Sequence, residues 1–142
     1  MTSARQDAPV ATSTTRLTAL RGNCLGAAVL LIIQFVLGVG VNLYITLPEH
    51  KSFLATVFGS ATLAAHVVVA LVLVGASIGA LVRAIRSRRG IVLTSVGLAA
   101  VLAAGIAGSS FVGNQSNGAS FGMALATAVA MFCYLAAVFS LR

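Results

Sequence analysis

The chain has 142 residues, 59% of them hydrophobic and 8% charged, with a formal net charge of +7 and a mean hydropathy of +1.06. So little charge excludes an ordinary soluble domain of this length, and four helices apolar all round have too little interior to hide every face in water. Eight of the nine cations are arginines placed at the chain ends and in one short loop, which excludes the basic patch of a nucleic-acid binder and points instead to membrane topology.

Residues 1–20 are rich in Ser, Thr and Ala and lack apolar periodicity, which predicts a disordered tail. Arg16 and Arg21 mark its approach to the membrane. The remainder, 21–142, reads as one transmembrane domain.

The first span is expected over 24–47, long enough for a hydrocarbon core of about 30 Å. A signal peptide would have a shorter apolar core and a small-x-small cleavage site; this run ends in Tyr44-Ile45-Thr46-Leu47-Pro48. Pro48 to Ser52 forms the first loop. Phe53 to about Ser60 is expected to lie at or above the outer interface, and 61–82 to form the second crossing. Arg83 to Arg89, with four arginines in seven residues, reads as the second loop. The third span is expected over 90–112, the uncharged Gly113–Gly118 stretch as a loop, and the fourth span over 119–141.

The fold class is therefore an all-α integral membrane four-helix bundle, up-down-up-down. Only a four-span arrangement places Arg5, Arg16, Arg21, the loop arginines and Arg142 on one side and Lys51 on the other. By the positive-inside rule both termini are cytoplasmic. Arginine outnumbers lysine, and Ala, Val and Gly dominate. This composition suggests a GC-rich bacterial genome, and hence a bacterial plasma membrane.

Small residues recur at four-residue spacing: Gly75 with Gly79, the series Ala100, Ala104 and Gly108, Ala124 with Ala128, and Ala126 with Ala130. Such rows let helices approach closely in lipid. They serve either packing within one chain or a homodimer seam, with the first favoured because four helices need several seams.

No P-loop, dinucleotide-binding fingerprint, zinc-type HExxH or GxSxG element is present. Asp7 and Glu49 are the only carboxylates, so paired-carboxylate catalysis within one chain is excluded. Cys24 and Cys133 fall in the cytoplasmic half, where a structural disulfide is not expected. They read as small buried residues.

Polar groups inside spans cost free energy in lipid, and each is a functional candidate. Gln34 lies near the middle of span one and Asn42 towards its outer end. His66 lies near the outer end of span two, with Thr62 one turn earlier on the same face. Asn42 and His66 share a layer near the Asn114-Gln115 loop, which makes a polar pocket geometrically plausible. His66 can ligate a haem iron or move protons, or simply hydrogen-bond Gln34 or Asn42 between helices, the reading favoured on the residues alone. His50, beside Glu49, reads as solvated, or as a cap over such a site.

The stretch from Gln34 through Gly38, Gly40 and Asn42 to Pro48, followed by Ala64-Ala65-His66-Val67-Val68-Val69-Ala70-Leu71, resembles one four-helix half of haem A synthase. The resemblance covers spans one and two. It implies that His66 is an axial ligand of a haem. That family's second ligand comes from the fourth helix of each half. Here that helix has no histidine, and Met123 is the residue near its outer end that can bind iron. The family's glutamate close before the ligand histidine is also absent. The resemblance thus implies a haem b-binding relative, not haem A synthase activity.

Three functional readings follow. The first is a non-catalytic accessory or structural membrane protein, whose partners are the lipid bilayer and a homo-oligomer or larger membrane complex. The second is a haem-binding or redox-linked protein using His66, with Met123, His50 or a second copy completing the site. The third is a small oligomeric transporter.

Overall fold

The computed structural model describes residues 8–44, 53–114 and 116–141. These residues form five helices and no strand: α1 (Ala8–Tyr44), α2 (Phe53–Phe58), α3 (Ala61–Ser87), α4 (Ile91–Asn114) and α5 (Asn117–Ser140). α1, α3, α4 and α5 each contain an apolar stretch long enough to cross a membrane. The expected first loop, with His50 and Lys51, lies outside the described residues, as do 45–47 of the expected first span.

Each long helix buries one narrow stripe. On α1 it is Leu20, Cys24, Ala27 and Leu31, and on α3 Leu73, Ser77, Ala80 and Ala84. Both sets step by four, three and four residues, the spacing of one helix face. Gly97, Ala100 and Val101 face inward from α4, and Ala130, Tyr134 and Ala137 from α5, with Leu141 just past its end. α1 packs against α3 and α5, and α4 against the same two. The remaining faces carry exposed large apolar groups such as Val36, Leu71, Val92, Ile106 and Phe132. A surface of this kind suits contact with acyl chains and would be a liability in water.

α1 starts at Ala8, inside the segment expected to be a disordered tail. Tertiary contact explains the difference. Leu20 is fully buried, and Leu17 packs on the same core. Arg83 Nη1 donates to the Ala19 carbonyl at 3.1 Å, which ties α3 to this extension. Contacts of this kind override the weak helix preference of the threonines. Pro9 stands in the first turn, where its missing N–H costs nothing.

Element ends also depart from the expected loops. α3 runs on through Ser87, so Arg83 and Arg86 are helical. The helix is closed by Arg88 in the left-handed region at φ 54. The Arg88 N–H donates to Ile85 O and the Arg89 N–H to Ala84 O, both at 3.2 Å. That pair of bonds is a Schellman closure. The connection between α4 and α5 is shorter than expected. Ser116 Oγ accepts from the Ala119 N–H at 3.2 Å, so Asn117 and Gly118 fall in the first turn of α5. Before α3, the chain breaks at Gly59-Ser60, and Ser60 Oγ accepts from Leu63 N–H. α3 thus starts at Ala61, and α2 lies apart from it as a short helix packed on its start.

Two apolar clusters result. The larger joins all four long helices, from Leu20 to Leu31 of α1 and from Ala130 of α5 to Leu141 just past its end. The smaller, Val41, Val57 and Leu63 with Phe111 and Val112, sits at the end where α1 finishes and α3 begins. The space between them holds the candidate site.

Candidate functional site

A cavity of about 430 Å³ lies between these clusters, with walls from α1, α3, α4 and α5. Leu31, Leu73 and Val101 of the large cluster bound one end, and Val41, Leu63 and Phe111 of the small cluster bound the other. Its size is that of a small-molecule site. Leu43 and Leu71, both lining residues, are about two-thirds exposed. The cavity therefore reaches the apolar outer surface of the helices.

Gln34, Asn42, His66 and Met123 all line it. Three of the four lie on α1 and α3 and are placed by the approach of those helices. Gln34 Nε2 and His66 Nε2 are 3.1 Å apart. The amide donates to the ring nitrogen, or in the reversed amide the ring N–H donates to the carbonyl oxygen. Gly38, one turn after Gln34, makes room for the ring. A Cβ there would stand 3.1 Å from His66 Cε1 and 3.7 Å from Nδ1. The imidazole is thus laid along α1, with Nε2 against Gln34 and its Cε1–Nδ1 edge against Gly38.

This pair leaves two polar atoms without a partner. Gln34 Oε1 and His66 Nδ1 are both buried and make no hydrogen bond. Such a group typically costs about 1–3 kcal/mol when left unsatisfied. The hydroxyls that line the cavity are engaged. Thr127 Oγ1 donates to Met123 O at 2.8 Å, Ser109 Oγ to Ile106 O at 2.8 Å, and Ser120 Oγ to Asn42 Oδ1 at 3.5 Å. Asn42 is exposed and lines the cavity near the end of α1.

Met123 reaches the cavity from α5 with its sulfur close to Gly108 of α4, 3.3 Å from where a Cβ would stand. His66 and Met123 thus share one cavity. The arrangement nevertheless does not fit a haem. The Nε2 that would bind iron is held by Gln34, and the opposite edge is covered by Gly38. A haem also brings two carboxylates, and among the described residues no lysine or arginine lines the cavity. Among the described residues no group of three or more His, Cys, Asp or Glu side chains could hold a metal ion.

Thr62 does not line the cavity; it is exposed, with its methyl group facing Gly40 of α1. Asn114 ends α4, and Gln115 lies outside the described residues. Cys24 and Cys133 are buried free thiols in the large cluster's half of the molecule. Sequence reasoning misses a second buried polar pair there. Tyr134 is fully buried with its hydroxyl beside Ser77, and neither oxygen makes a hydrogen bond of good geometry. A tyrosine inside an apolar helix reads as core, so no sequence signal marks it. Of the small-residue rows, the one through Ala100, Ala104 and Gly108 packs within the chain, whereas Gly75 faces open space.

No family model matches this chain, and neither does any curated protein or solved structure.

Proposed function

We propose that this chain is an integral protein of a bacterial plasma membrane that crosses the bilayer up-down-up-down, with both termini cytoplasmic. It acts without catalytic machinery of its own, as an accessory unit that holds a lipid-soluble molecule between the outer halves of its helices. A second copy, or a larger membrane complex, is the partner such a unit serves. The observation that carries the reading is the cavity. It is walled by all four long helices, is apolar apart from a few positions, and is joined to the helix surface that faces lipid. Among the described residues its lining has one imidazole and no carboxylate, lysine, arginine or cysteine. That set recognises a molecule more readily than it transforms one.

The test is the composition of the purified protein. Organic extraction and mass spectrometry are expected to find one lipid-soluble compound retained in near-stoichiometric amount, and depleted in Ala104→Leu, which narrows the cavity. Identical bulk lipid in both preparations would sink the reading. The same preparation, made with ample haem in the medium, is expected to show no Soret band. A band that disappears in His66→Ala would establish the haem reading in its place.

A further inference from the structure

The end of the molecule away from the cavity carries the charge. Among the described residues the formally charged side chains are Arg16, Arg21, Arg83, Arg86, Arg88 and Arg89, and all are exposed. Asp7 and Glu49, the two carboxylates of the chain, lie outside the described residues. Contact between α1 and α3 gathers these arginines. Asn23 Nδ2 lies 3.2 Å from where a Cβ of Gly79 would stand. Ala19, one turn earlier on α1, accepts from Arg83, one turn later on α3. The same register sets Arg16 level with Arg86, with Arg83 a turn nearer the core. Exposed like charges brought together in this way repel one another unless anions sit among them.

We propose that this end of the α1–α3 pair binds the headgroup of an anionic phospholipid, with the phosphate held by Arg83 and Arg86 and with Arg16 beside it. The inference rests on the chain's lying in a bilayer, and not on what the cavity holds. Depth favours a lipid over an anion from the water. Counted from Ala61, a hydrocarbon core of about 30 Å is crossed in about twenty residues. Arg83 therefore stands where acyl chains give way to phosphates. Its guanidinium is held in place by the Ala19 carbonyl through one N–H, which leaves the others for an outside acceptor. Such a planar fork matches the oxygens of a phosphate. Below it the surface between the helices suits a tail. Gly26 of α1 and Gly75 of α3 are nearly level in the same register, and both face open space. Ile33 lies two turns on from Gly26 and Val82 two turns on from Gly75, and both are exposed.

Binding is measured on the full-length chain purified in detergent, by the fluorescence anisotropy of a phosphatidylglycerol labelled on its tail. The competitors are unlabelled phosphatidylglycerol, phosphatidylcholine with the same acyl chains, and glycerol phosphate, which has the phosphate without the tails. Phosphatidylglycerol is expected to compete about tenfold more strongly than phosphatidylcholine, the worth of one or two arginines at a membrane surface. Glycerol phosphate is expected not to compete at the same concentration. The double variant Arg83→Gln/Arg86→Gln is expected to lose the preference. Arg21→Gln/Arg89→Gln removes the same charge and is expected to keep it. Arg21, two residues past Ala19, points about 200° round α1 from it, and Arg89 lies in the turn that leads to α4. Equal competition by the two lipids overturns this inference and leaves the membrane reading standing. So does equal competition by glycerol phosphate, which would mark a site for a soluble anion. A preference that survives in the folded Arg83→Gln/Arg86→Gln variant, or is lost equally in both double variants, also overturns it. A chain that stays dispersed in water without detergent overturns the membrane reading as well. The comparison of heads in the unaltered protein decides the matter even where a variant does not fold.

Discussion

At position 97 an added methyl group would stand 2.9 Å from Tyr134 Cζ. The ring is fully buried, so it has nowhere to move. Gly97→Ala is therefore expected to destabilise the protein by about 1–3 kcal/mol, the cost of overpacking a filled core. Thermal unfolding in detergent followed by circular dichroism measures it. The hydroxyl of the same tyrosine behaves oppositely. It makes no well-formed hydrogen bond, so Tyr134→Phe is expected to change stability by less than about 1 kcal/mol, in either direction. A large loss in Tyr134→Phe would show that the Ser77 contact carries more than its geometry indicates. The contrast explains what is legible in the residues. Gln34 and His66 stand out because a polar group is rare in an apolar span, and their pairing is among the expected hydrogen bonds. Gly97 and Gly38 do not stand out. The chain has 14 glycines, and which of them faces a ring depends on helix rotation, which no single helix encodes.

Among the elements, the turn between α3 and α4 is the most constrained. Arg88 and Gly90 both have positive φ, at 54° and 71°, within three residues. Gly90→Ala is expected to cost about 1 kcal/mol, because a Cβ at positive φ meets its own backbone. Arg88→Gly is expected to relieve a similar amount, provided the Schellman bonds persist. The same unfolding measurement orders the two, and a more stable Gly90→Ala would contradict the assigned turn. Helix existence was readable from apolar length alone, whereas this boundary was not. The four arginines read as loop because they are charged, yet arginine is a good helix former. Arg83 is held in the helix by its bond to Ala19, a long-range contact. The break at Gly59-Ser60 is more local in origin. Ser60 supplies its own N-cap, and α3 starts at the residue where the second crossing is expected. The extension of α1 to Ala8 depends on burial of Leu20 and Leu17, and a polar segment gives no hint of that.

For the whole molecule, the proposed orientation rests on where the arginines lie. Green fluorescent protein fused to the C-terminus is expected to fluoresce, and alkaline phosphatase fused there to be inactive. Replacing Arg83, Arg86, Arg88 and Arg89 together by Asn is expected to produce a mixed population with both signals, since these residues carry much of the inside bias. Unchanged fluorescence in that variant would assign the orientation to the N-terminal arginines instead. The four apolar lengths made the all-helical architecture readable from the sequence. The cavity was legible only as a layer shared by Asn42 and His66. Its closed end, where Leu31, Leu73 and Val101 meet, depends on how three helices turn towards one another.

α1 has a further consequence. Its 37 residues form one unbroken helix about 55 Å long, against a hydrocarbon core of about 30 Å. Arg16 and Gln34 are eighteen residues apart, about five full turns, and so sit at nearly the same bearing around the axis. The helix is thus nearly twice as long as that layer is thick, and its two polar groups mark a single line along its surface.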